Sequence, residues 1–188
     1  PITLAKTVAT LDFLSEGRVV LGAGFGWNVE EMADHGVPDK RRRTVLREYL
    51  EAMGELWREE TASYKGEFVN FGPSWAWPKP VQQPRVPVLL GARGTEANFR
   101  WIARSANGWI TTPLEENIAQ ATEQLNTTWQ EAGRSGRPEV VVLHPKPDDT
   151  ILAEWDAAGV TEVMMGLPDR DEPDVLAFIE RRASQFLA

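Results

Sequence analysis

The sequence contains no cysteine and only two histidines, His35 and His144. A disulfide, a thiolate nucleophile and a cysteine-ligated metal are thereby excluded, and a three-histidine zinc site cannot be assembled. Metal chemistry would have to rest on carboxylates, and no metal ligand is assigned. Basic residues are also in the minority. Lys and Arg number 20 against 28 Asp and Glu, giving a formal net charge of −8, and the basic residues are scattered apart from Arg41, Arg42 and Arg43. Such a surface has no general attraction for a phosphate backbone, which argues against nucleic acid as a partner. No apolar run approaches the roughly 18 residues of a membrane span, and no cleavable leader is visible. A cytoplasmic protein acting on a small molecule, with no membrane partner, is expected.

What is present is an ordinary globular composition: 188 residues, 42% of them apolar, enough for one substantial core and one domain over 1–188. Leu4, Val8, Leu11 and Leu14 recur at helical spacing within residues 3–16, and Gly17 follows as a stop. "RVVLGAG" reads as a short buried strand. Residues 40–58 return to helical period, and "ASYKGEFVNFG" alternates around Lys65-Gly66 as a hairpin. Five prolines between residues 73 and 87 predict an irregular surface connection. From Pro87 onward, strands at 88–91, 108–112, 139–143 and 161–166 alternate with helices near 95–106, 114–133, 150–158 and 173–186. The last helix carries Val175, Phe178, Ile179, Arg182 and Phe186 as an apolar stripe. Such alternation predicts an α/β fold with a parallel sheet covered by helices. Pattern alone does not separate a barrel from an open doubly wound sheet.

The stretch "GAGFGWNVEE", Gly22 to Glu31, carries the first chemical signal. A dinucleotide fingerprint requires G-x-G-x-x-G running straight into a helix. Here the spacing is G-x-G-x-G, and "EEMADHGVP" is read as intervening before the next helix, which disfavours that ligand. Glycines let a chain leave a strand sharply, but Trp27 and Asn28 add an aromatic face and an amide at the carboxyl edge of a parallel strand, where α/β folds bind ligands.

Taken together, "LAKTVATLDFLSEGRVVLGAGFGWNVEE", "GVPDKRRR", "LWREE", "YKGEFVNF", "PKPVQQPRVPVLLGA" and "ANGWI" resemble the bacterial luciferase-like oxidoreductases, specifically the branch that uses the deazaflavin coenzyme F420. The resemblance runs the whole chain in order. It implies a (β/α)8 TIM barrel in which residues 3–16 are the third helix and the five strands are the fourth to eighth. A full barrel takes about 250 residues, so an amino-terminally incomplete barrel is expected. An open five-strand sheet leaves two unpaired edges, and the isolated chain is expected to be poorly soluble or molten; a sharp cooperative thermal transition would contradict that.

The resemblance also implies where a cofactor lies: across the carboxyl ends of the strands, its phosphate on the loop "GARGTE". Gly91 and Gly94 permit close approach, Thr95 caps the following helix, and Arg93 adds charge. Ala92 stands where the family usually has a second glycine. Ala23 and Gly24 are implied to lie near the phosphate or ribityl chain, with Asn28 hydrogen-bonding it. Phe25 replaces a glutamate of the sugar-phosphate dehydrogenase branch, which implies a more apolar pocket formed with Trp27 and Thr112. His144 closes the strand "VVVLH" at the same edge as Thr111 and Thr112 and is the candidate general acid or base; His35 is expected at the surface. Trp57, Trp101, Trp129 and Trp155 read as packing residues. Trp75 and Trp77 lie where they would cover the pocket or meet another subunit. Arg41, Arg42 and Arg43 precede a helix whose dipole they oppose, and are expected to be solvated or at an interface. The implied activity is hydride transfer between the deazaflavin and a small organic substrate. FMN with oxygen, giving a monooxygenase, is the alternative cofactor reading, and a non-catalytic cofactor-binding or assembly protein is the alternative of another class. The family habit implies a homodimer.

Overall fold

The computed structural model describes residues 1–143 and 148–186; His144 lies outside the described residues. In chain order the elements are α1 (Ile2–Leu14), β1 (Leu21–Gly24), α2 (Val29–Asp34), a 3-10 turn (Asp39–Arg41), α3 (Arg42–Arg58), β2 (Thr61–Lys65), β3 (Asn70–Trp75), β4 (Val88–Gly91), α4 (Glu96–Ser105), β5 (Gly108–Thr111), α5 (Ile118–Glu131), β6 (Glu139–Leu143), α6 (Asp149–Ala158), β7 (Glu162–Met164) and α7 (Glu172–Phe186).

Five strands form one parallel sheet in the order β1-β4-β5-β6-β7. The predicted strands of the second half fall within two residues of their observed bounds, because each is a short apolar run cut off by loop residues. The sheet has the strand-then-helix order of a barrel wall but does not close on itself: β1 and β7 are its edges among the described residues. Side chains alternate across it. Leu90, its partner Trp109 and Trp109's partner Val140 share one face and sit in a core with Phe99, Ile102, Leu125 and Trp129 of α4 and α5. Trp109 is fully buried, meets the Phe99 ring edge-on at 5.3 Å, and donates its Nε1–H to the Ala92 carbonyl at 2.7 Å. An aromatic pair of this kind adds about 0.5–1.5 kcal/mol beyond its burial. Because that hydrogen bond ends on the β4–α4 loop, the core also holds the loop in place.

A second core joins α1, α3 and the β2–β3 hairpin through Ala5, Val8, Met53, Leu56, Trp57, Ala62 and Val86. Here the predicted stripe of α1 is corrected. Ala5, Val8, Ala9 and Asp12 form the buried face, whereas Leu4, Leu11 and Leu14 are exposed. Small residues let α1 lie close to α3, close enough for Trp57 Nε1 to donate to the Ala5 carbonyl at 2.9 Å; the leucines are displaced to the outer side. The stripe of α7 likewise finds no core: none of its residues is buried.

The hairpin exists as expected, with a four-residue turn at residues 66–69. Its socket is Glu48, a buried α3 carboxylate that accepts hydrogen bonds from the amides of Glu67, Phe68 and Val69 at 3.0, 2.7 and 3.1 Å. Burial pushes that carboxyl's pKa up, but the three amides outweigh it and hold the group below its ordinary value of 4.5. The proline-rich segment is more ordered than predicted. β3 extends through Pro73 to Trp75, and the register shifts opposite it between Ala62 and Tyr64, so the missing proline N–H falls where pairing is already interrupted. Ala76, Pro80 and Val86 are buried. Gln82 clamps the buried Asp12, its backbone N–H reaching Oδ2 at 3.0 Å and Nε2 reaching Oδ1 at 2.7 Å. The segment is therefore tied to α1 as well as running over the surface.

Candidate functional site

Parallel pairing puts every β-to-helix loop on one edge of the sheet, and β1 and β4 are neighbours. Gly24 is in register with Gly91, so the two glycine-bearing loops leave the sheet side by side. Between them opens a cleft of about 650 Å³ lined by Gly24 to Trp27, Arg42, Arg43, Gly91 to Arg93, Thr95 and Asn98. A Cβ at Gly24 would lie 3.6 Å from the Gly91 carbonyl, and one at Gly91 would lie 3.6 Å from the Ala23 carbonyl. A methyl fits there; a larger side chain would have to extend beyond the two facing backbones.

The cleft is strongly cationic within an acidic protein. Arg42 and Arg43 lie in the first turn of α3, and Arg93 lies just before α4. Among the described residues none of the three is paired with a carboxylate, whereas Arg41 bonds Glu67, Arg47 bonds Glu51 and Arg58 bonds Glu55. Arg41 and Arg43 are exposed, in line with the solvated role expected for the run, and Arg42 is half-buried; Arg41 leaves toward the hairpin, and the other two line the cleft. Cations that oppose the positive end of a helix are stabilised by an anion placed there, and the amino ends of α3 and α4 meet at this cleft. The sequence offered "RRR" as a signal but not the neighbouring helix end.

Phe25 is engaged rather than open. Arg43 lies 4.5 Å and Arg42 5.8 Å from its ring centroid, and the Trp101 ring stacks on it at 6.2 Å. Trp27 is 86% exposed. On the β4–α4 loop, Thr95 Oγ1 accepts from the Asn98 amide at 3.3 Å as the predicted cap, and the amides of Glu96 and Ala97 have no intrahelical acceptor. The Gly94 amide donates to Glu115 Oε2 at 2.8 Å, so it is already committed to a side chain of the next loop. Glu115 and Asn98 were missed in the sequence, which carries no motif for either.

Asn28 is displaced from its expected setting. It is the N-cap of α2, its Oδ1 accepting from Glu30 and Glu31 at 3.1 and 3.3 Å. The helix thus begins directly after the glycines, against the expectation that it starts later. The Asn28 oxygen is occupied, and its NH2 remains as a donor. Asn28 does not line the cleft itself but an adjoining hollow with His35, Val45 and Tyr49, which shares Gly24 to Trp27 and Arg42 with the cleft; His35 is exposed, as expected. Thr112 lines a third hollow with Arg93, Leu114, Glu115 and Leu143, next to the cleft, and its Oγ1 accepts from the Leu114 amide at 3.3 Å. Trp57 and Trp129 are buried and Trp101 half-buried, as packing predicts. Trp75 and Trp77 are exposed and do not line the cleft. Among the described residues no helix is long and apolar enough to cross a membrane, and no cluster of His, Asp and Glu suits a metal.

The donor set of three guanidinium groups, two free helix-end amides and two side-chain-free backbone positions suits the phosphate of a flavin-like molecule. An uncharacterized protein of Mycobacterium tuberculosis is 60% identical over 98% of this chain, which spans 65% of that protein's length. An F420-dependent glucose-6-phosphate dehydrogenase of Microbacterium testaceum is 30% identical over all of the chain and 60% of its own length. In fold, the chain resembles an F420-dependent secondary alcohol dehydrogenase solved with an F420–acetone adduct, with a TM-score of 0.73 and 15% identity over 95% of this chain and 74% of that one. The sequence profile of the luciferase-like monooxygenases matches residues 1–158, and the chain belongs to that family.

Proposed function

We propose that this protein is an oxidoreductase that uses the deazaflavin F420 to move a hydride to or from a small organic substrate. The observation that carries the reading is the pairing of Gly24 with Gly91 under three arginines free of carboxylate partners. Backbone without side chains lets a cofactor tail approach closely, and the arginines with the amino ends of α3 and α4 supply the charge its phosphate requires. Ala23, Gly24, Gly91, Ala92, Arg93 and Gly94 would line the tail, with the Asn28 NH2 as an outlying donor. When bound, the deazaflavin supplies a two-electron hydride carrier that reacts poorly with oxygen.

Phe25, Trp27 and Thr112 would face the substrate side. Phe25, held from behind by Trp101 and Arg43, presents an apolar wall that excludes water. His144, one residue beyond the hollow-lining Leu143, would exchange the proton that accompanies hydride transfer. Replacing His144 with Gln would then remove one limb of the pH–rate profile; an unaltered profile dismisses the assignment. FMN with oxygen remains the second reading, supported by the family's description as monooxygenases; its phosphate would use the same cleft. Titrating the purified protein with each cofactor separates the two. Binding of F420 well in preference to FMN is expected, and tight FMN binding with none for the deazaflavin overturns the choice. A homodimer is part of the same proposal, and sedimentation velocity tests it: a monomer at all concentrations would remove it.

A further inference from the structure

Resting on that reading of the cleft, we infer that Asn98 is a positioning residue that holds Arg43 as the uncancelled cation of the anion subsite. Asn98 is 2% exposed, a polar side chain on the otherwise apolar inner face of α4. Its Oδ1 accepts from Arg43 Nη1 at 2.7 Å, and its Nδ2 donates to the Arg93 carbonyl at 2.8 Å. One amide thereby joins the first turn of α3 to the β4–α4 loop. The chemistry of the partner matters. A buried carboxylate at this place would hold the guanidinium as firmly but cancel its charge, whereas Asn98 and the Phe25 ring are both neutral and fix its direction while leaving its charge for a ligand. Without such partners, Arg42, Arg43 and Arg93 would repel one another and spread into solvent. The amide also excludes the wrong arrangement of the loop, because the same side chain needs the Arg93 carbonyl turned inward, toward α4, for its donor to be satisfied.

The test compares two ligands, F420 and its ring fragment lacking the phosphate-bearing tail, on the wild type and on N98S, N98D, R43A and R43A/N98S. Asn98→Ser and Asn98→Asp are each expected to weaken F420 by about tenfold, the loss of one charge-assisted bond, and to leave the fragment unchanged. Asn98→Ser is expected to cost less in the R43A background than in the wild type, keeping only the share owed to the Arg93 carbonyl. Equal losses for both ligands, additive losses in the double variant, or unaltered F420 affinity in N98S would overturn the inference while leaving the proposed cofactor standing. If the wild type binds neither ligand, the cofactor reading falls and the inference with it. Should N98D fail to fold, N98S and the R43A cycle decide alone.

Discussion

Glu48 and Arg43 stand five residues apart on one helix, and the protein treats their charges in opposite ways. Glu48 is buried and surrounded by three backbone amides of the hairpin turn. Arg43 is exposed to a cleft and held by an amide oxygen and an aromatic face. The first arrangement satisfies a charge in order to fasten two elements together. The second orients a charge and leaves it without a carboxylate partner. A buried ionic group with a full set of partners fastens structure, whereas a cation held only by neutral groups beside two helix amino ends keeps its charge available, as the proposed phosphate site requires.

Three changes break this comparison at different points. The largest effect is expected from Trp109→Ala, which empties a fully buried site in the core beneath the cleft and releases the Ala92 carbonyl. A loss of about 3–5 kcal/mol is expected, read by denaturant unfolding; a loss below about 1 kcal/mol would show that the core does not support the loop. Next comes Gly91→Val. Its Cβ meets one ordinary contact, the Ala23 carbonyl at 3.6 Å, and its two further methyls would have to extend away from the facing backbones, so cofactor affinity is expected to fall by about a hundredfold or more, roughly 2.7 kcal/mol. Unchanged affinity would remove Gly91 from the site.

The smallest effect concerns acid. Asp12 and Glu48 both have folded pKa values below their ordinary 3.8 and 4.5. Burial pushes each up, but hydrogen bonds from Gln82 and the Val19 amide, and from the three hairpin amides, outweigh it. A lowered folded pKa stabilises the fold fully above the unfolded value and loses that contribution as pH falls through the folded one. Stability should therefore be flat above about pH 5 and decline below about pH 4, and Glu48→Gln should be less stable at neutral pH with a shallower decline. An identical decline in the variant would mean that the hairpin socket is not what acid releases.

Much of the fold was legible because short apolar strands and amphipathic helices leave periodic traces, as in "VLLG" and the α3 stripe. α2 is hard to tell from a loop in the sequence, because its signal is one capping residue, Asn28, and two acidic residues. The exposed leucines of α1 were misplaced because periodicity marks an apolar face without saying whether a neighbour exists to cover it. At the site, Gly24 and Gly91 were readable from sequence since glycine after a strand has a backbone meaning. Arg42, Arg43 and Asn98 were not, since their roles come from the meeting of two helix ends 55 residues apart, which no local pattern contains.

The role proposed for the two loops and the arginines between them is recognition of a phosphate. It is tested most directly by calorimetric titration of the protein with F420 and with its phosphate-free ring fragment at low and high salt. F420 is expected to bind at least about a hundredfold more tightly than the fragment, with rising salt eroding this advantage. Equal affinities, or a difference indifferent to salt, would contradict it.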